Sequence, residues 1–206
     1  MSVADSLFAF SFAALLLTLT PGLDTALILR TATAEGGERA FQAALGIDTG
    51  CFIWGALVAF GLGAVLATSA LLYDLLKWCG AGYLFWLGIQ LLRKPPQAMV
   101  GQPSAGERGH HSFVRGLLSN TLNPKMGVFY VSFLPQFIPS GHSPILWTFI
   151  LVAIHVALGT AWSVTLILTT RYAAQLLRKP RFVQVMDRVT GGVFMLFAVR
   201  LALSHR

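Results

Sequence analysis

Asp24 and Lys125 are ionisable side chains set beside prolines in apolar surroundings. The first closes the run Leu17-Thr18-Leu19-Thr20-Pro21-Gly22-Leu23-Asp24, and the second closes Asn120-Thr121-Leu122-Asn123-Pro124-Lys125. A proline has no N–H to donate and crowds the carbonyl four residues back, so Pro21 frees the carbonyl of Leu17 and Pro124 that of Asn120. Gly22 loosens the first break further. Hydrocarbon cannot satisfy freed backbone groups, so such breaks are tolerated where they face protein or a water-filled cavity. Asp24 offers a carboxylate for a substrate ammonium or a proton. Lys125 offers a cation for a substrate carboxylate, and N–H groups at the restarted helix ends add to it. A zwitterion held at both ends suits this pair, with Thr20, Asn120 and Asn123 as polar neighbours. Two plainer readings compete. The breaks are kinks stabilised by Ser and Thr side chains, or Asp24 and Lys125 pair with each other and only hold the breaks together.

Three further residues are candidates. Asp48, between Gly46 and Gly50, is a second group able to carry a proton, or else an interfacial carboxylate near water. The glycines form a G-x-x-x-G face, which serves helix packing inside one chain and equally permits a homodimer. His155 stands inside an apolar run, either as a proton carrier or hydrogen-bonded to a neighbouring helix. Trp162, close to Gly159, is the tryptophan best placed to line a cavity. Cys51 and Cys79 read as small apolar side chains without metal-ligand spacing. No nucleophile and base come together, no glycine-rich stretch has the residues of a phosphate cradle, and no Asp, His and Cys cluster suits a metal. Neither an enzymatic reaction nor a cofactor is expected.

The elements that position these residues follow from composition. The 206 residues are 55% apolar and only 11% charged, with a mean hydropathy of +0.69. Soluble domains carry about 25% charged residues, so lipid is the expected solvent. The net charge of +7 comes from short loops between apolar runs, a pattern of membrane orientation rather than of nucleic-acid binding. A membrane-crossing helix needs about 20 apolar residues. Six segments qualify, at about 6–29, 40–67, 70–92, 113–137, 144–170 and 184–203. No Lys or Arg precedes the first, so it is expected to be retained rather than cleaved as a signal. A polar stretch over 93–112, with Pro95-Pro96 and His110-His111, links two halves, 1–92 and 113–206, of a single domain.

The halves resemble each other. Leu19-Thr20-Pro21 lies over Leu122-Asn123-Pro124, Gly50 over Gly159, and Gly80-Ala81-Gly82 over Thr190-Gly191-Gly192. A repeat of three spans is odd-numbered, so the second copy must be inverted in the membrane. Basic residues, among them Arg30, Arg39, Arg93, Arg115, Arg171 and Lys179, concentrate in loops one, three and five. That side is cytoplasmic, which puts both termini on the periplasmic face of a bacterial inner membrane. Matching breaks in two inverted halves point to a transporter binding site.

The chain also resembles the LysE/RhtB family of amino-acid exporters, in its homoserine/threonine branch. The residues that carry the likeness are Leu19-Thr20-Pro21-Gly22-Leu23-Asp24-Thr25, Ala44-Leu45-Gly46-Ile47-Asp48-Thr49-Gly50, Gly80-Ala81-Gly82-Tyr83-Leu84, Asn123-Pro124-Lys125, Phe133-Leu134-Pro135-Gln136-Phe137 and Asp187-Arg188-Val189-Thr190-Gly191-Gly192-Val193-Phe194. At Leu23 the chain departs from a second proline common in the family. The resemblance implies outward transport of a small amino acid such as threonine or homoserine, driven by proton exchange. The competing readings are a channel or an exporter of another solute or a metal ion, and a membrane scaffold that transports nothing.

Overall fold

A computed structural model of the chain describes residues 2–68, 111–177 and 179–203, with isolated positions between 78 and 93. Most of the expected third span, Cys79 and almost all of the linker therefore lie outside the described residues. What is described is helical, without a strand.

Helix α1 runs Val3–Leu19 and opens on a capping box in which the Ser2 hydroxyl accepts from the Asp5 N–H while the Asp5 carboxylate accepts from Ser2. Helix α2 spans Leu23–Ala34, bent by 51° from α1 across the Pro21 break. Gly36, at φ +92°, takes the left-handed turn into α3, Gly37–Thr68. The expected fourth span is not one helix. It begins as α4, His111–Thr121, breaks at Leu122 and Asn123, and restarts as the short α5, Pro124–Val128. A π-helical turn over Phe129–Phe133 and a 3₁₀ turn over Leu134–Phe137 follow. Helix α6 spans Pro144–Leu168, with the Ser143 hydroxyl accepting from the Leu146 N–H and Pro144 in its first turn. Helices α7, Thr170–Leu177, and α8, Pro180–Leu203, complete the chain. Among the described residues two helices, α3 over Gly37–Gly61 and α6, are long and apolar enough to cross a membrane, and the bent α1–α2 pair passes the same test if it is counted as one span.

Small residues bring α3 against α4. A Cβ at Gly46 would run into the Phe113 carbonyl, and one at Gly116 into the Ala43 carbonyl. The G-x-x-x-G face is thus used inside the chain. Two apolar clusters result. The larger joins Phe10, Ala14 and Leu17 of α1 to the rings of the π and 3₁₀ turns and to Leu151 and Val152 of α6. The turns place Phe129, Tyr130, Phe133 and Phe137 all inward, with Phe133 and Phe137 centroids 4.8 Å apart. The smaller cluster joins Ile28 and Leu29 of α2 to Ala43 and Ala44 of α3 and Leu166 of α6. The outer surface keeps large apolar side chains such as Phe8, Leu57 and Leu168, as lipid contact requires.

Candidate functional site

Between the two clusters lies a cavity of about 620 Å³, counting its open mouth. Leu17, Cys51 and Met126 wall it from the larger cluster, and Ile28 and Leu166 from the smaller. Thr20, Gly22, Asp24, Asp48, Asn120, Asn123, Lys125, His155 and Trp162 all line it. Nearly every candidate of the sequence is therefore in one place. Pro21 is buried behind the wall, and Pro124 opens α5 at its first turn.

The first break is an extended stretch. Thr20 ends α1 at φ −68°, ψ 118°, and Gly22 starts α2 at φ −153°, ψ −168°. The Thr20 N–H and hydroxyl both turn back to the Leu16 carbonyl, at 3.0 and 2.7 Å, and the hydroxyl also meets that of Thr190 on α8. The Leu17 carbonyl, which Pro21 deprives of its partner, accepts from Lys125 Nζ at 3.3 Å. The Thr20 carbonyl accepts from the same ammonium at 3.3 Å. The lysine of one break thus satisfies the backbone freed by the other.

The second break is tighter. The Asn123 side chain accepts from the Lys125 N–H at 3.1 Å and caps α5. The Asn120 carbonyl, orphaned by Pro124, accepts from the Asn123 N–H at 3.1 Å and from Trp54 Nε1 of α3 at 3.4 Å. A Cβ at Gly127 would lie 2.7 Å from the Trp54 ring, so this glycine makes room for the indole. Gly50 does the same for Asn120, since its Cβ would lie 2.7 Å from Oδ1.

Asp24 reaches across in return. Its carboxylate accepts from Ser119 Oγ at 2.7 Å and from Asn120 Nδ2 at 3.1 Å, both in the last turn of α4. The Lys125 charge and the Asn123 side chain also act on it. Each break therefore supplies an ionic side chain to the residues just before the other.

Asp48 stands apart from this brace. Its Oδ2 accepts from Thr160 Oγ1 of α6 at 2.7 Å, and that hydroxyl also lies 2.9 Å from the Val156 carbonyl. Along the same face of α6 come His155, Gly159 and Trp162. His155 Nδ1 is 2.9 Å from the Tyr130 hydroxyl, and both are buried. Three buried polar atoms on the cavity's residues have no partner among the described residues: Thr18 Oγ1, Asn120 Oδ1 and Trp162 Nε1. No group of three His, Cys, Asp or Glu among them suits a metal ion.

Sequence reasoning left out Ser119, Trp54 and Thr160. A polar residue next to Asn120 was the available signal for Ser119. A lone tryptophan in an apolar run, as Trp54 is, reads as a packing or interface anchor. The partner of its N–H depends on how α3 meets α4, which no local pattern encodes.

A helical membrane protein with a polar cavity at two proline breaks defines the class. The description "LysE type translocator" matches residues 15–205, and the chain belongs to that family. A homoserine/homoserine lactone efflux protein of Salmonella typhimurium is 30% identical over 204 residues, 96% of each chain. An uncharacterised membrane protein of Bacillus subtilis is 29% identical over 97% of this chain and 99% of its own. A leucine efflux protein of Klebsiella pneumoniae is 29% identical over 92% and 91%. No solved structure matches.

Proposed function

We propose that the chain is a secondary transporter that exports a small amino acid across the bacterial inner membrane in exchange for protons. In this reading residues 1–206 form one domain of six spans. Two inverted three-span halves rock about the cavity, and both termini are periplasmic. One observation carries the proposal: side chains of opposite charge from the two breaks meet at a single cavity in the apolar interior. Charges there cost about 3 kcal/mol or more, so a protein keeps them for a partner or a pathway. Membership of a translocator family, with relatives named for homoserine and leucine efflux, supports the same reading. The substrate carboxylate would lie near Lys125 and the N-terminus of α2. No side chain caps that terminus, and its first N–H groups have no partner within the helix. Asp24, Asp48 and His155 are the groups available to a proton.

The test is overexpression in a bacterial host, with external threonine, homoserine, serine, lysine, leucine and cysteine measured over time. At least one should accumulate above the empty-vector control. If none does, and none drives counterflow into vesicles holding the purified protein, the reading fails.

A further inference from the structure

We propose that Asp48, not Asp24, receives the ammonium group of the transported amino acid, in a niche formed with Gly159 and Trp162. The inference rests on the exporter reading above and says where in the cavity one end of the zwitterion is held.

The two cavity carboxylates differ in how they are satisfied. Asp24 takes a hydroxyl and an amide hydrogen bond at ordinary lengths and stands within the field of Lys125. Each of its two oxygens already accepts a hydrogen bond inside the brace that joins the two breaks. Asp48 has one hydrogen-bonding side chain, Thr160, among the described residues. That hydroxyl carries a single proton, and the Val156 carbonyl competes for it at 2.9 Å. Whenever the proton points to Val156, the Asp48 carboxylate has no donor among the described residues. A carboxylate in an apolar interior requires a counter-charge, and among the described residues no cation acts on Asp48.

The wall opposite is shaped for a small cation. A Cβ at Gly159 would lie 3.8 Å from Asp48 Oδ1, so the missing side chain leaves space beside the free oxygen. One turn further on the same face, Trp162 lines the cavity, and its buried Nε1–H has no partner among the described residues. Its ring supplies a π-face that attracts an ammonium. Its N–H supplies a donor for an oxygen of the same substrate. Asp24 has no such niche, because Ser119 and Asn120 are pressed against it. The brace therefore positions the cavity, and Asp48 discriminates.

The experiment uses the purified full chain in detergent. L-threonine, L-homoserine and L-leucine are probes, each beside the 2-hydroxy acid that carries a hydroxyl in place of the ammonium. The wild type should prefer the amino acid. Asp48→Asn should weaken amino-acid binding by about tenfold or more while leaving the hydroxy acid nearly unchanged. Asp24→Asn should keep the wild-type preference. Gly159→Val, which retains both carboxylates, should lower the preference by filling the niche, and it keeps the test decisive if Asp48→Asn does not fold. An undiminished preference in folded Asp48→Asn, or in Gly159→Val, overturns the proposal, as does loss of the preference in Asp24→Asn. Failure of the wild type to bind any probe would instead count against the exporter reading.

Discussion

The two breaks share an X-Pro dipeptide yet fold differently. In the second, Pro124 is the first residue of the new helix and Asn123, just before it, is the cap. Proline is pre-organised for that position and lacks an N–H that would be orphaned there anyway. In the first, the equivalent Thr20 bonds back to Leu16, Pro21 lies outside both helices, and Gly22 takes the cap position with no side chain to offer. The second break therefore closes largely with its own atoms. The first depends on an ammonium delivered from the second. The lesson is that two breaks built on the same dipeptide can divide the labour: one is a self-capped post, and the other stays open at its helix end and borrows its partner.

Removing the borrowed partner should have the largest effect. Lys125→Met leaves the Leu17 and Thr20 carbonyls without their donor, at about 1–3 kcal/mol for each unsatisfied group. Thermal unfolding in detergent should show a loss of that order, together with loss of export. Stability equal to wild type would mean that the first break closes by itself. Next comes Asp24→Asn, which keeps one acceptor for Ser119 or Asn120 and loses the charge facing Lys125. Export should fall by roughly tenfold, equivalent to about 1.4 kcal/mol, while membrane insertion is unchanged. Normal export by this variant would remove Asp24 from the transport mechanism.

Much of this architecture was legible in the chain, for identifiable reasons. Apolar run lengths located α3 and α6 to within a few residues, because burial in lipid dominates those segments. Pro21 and Pro124 marked the breaks because a missing N–H acts locally. Polar residues inside apolar runs pointed to the cavity for the same energetic reason. The path after Pro124 was not legible. The run to Phe137 reads as one span, yet the backbone turns through π and 3₁₀ geometry so that Phe129 and Phe137 pack on Phe10 and Phe133 packs on both. That choice is made by tertiary packing, which can override local periodicity. Nor did the sequence separate the surroundings of Asp24 and Asp48. Their difference lies in partners drawn from α4 and α6, far away along the chain.

The remaining variants sharpen the contrast at smaller scale. Asn123→Ala deletes the cap of the second break and should cost about 1 kcal/mol, as helix caps do. A cost near zero would put both breaks on the same footing. Gly22→Ser does the reverse and offers the first break a cap. The extended backbone at Gly22 accepts a side chain, and a Cβ there would lie 3.6 Å from Lys125 Nζ, an ordinary contact. Replacing a glycine cap by serine is worth only a few tenths of a kcal/mol, so the unfolding midpoint should rise slightly. Transport should nevertheless decline, because the new hydroxyl accepts from N–H groups that the open helix end would otherwise present to a substrate carboxylate. A stabilised variant with undiminished export would show that the uncapped terminus of α2 is only a structural economy and takes no part in holding the substrate.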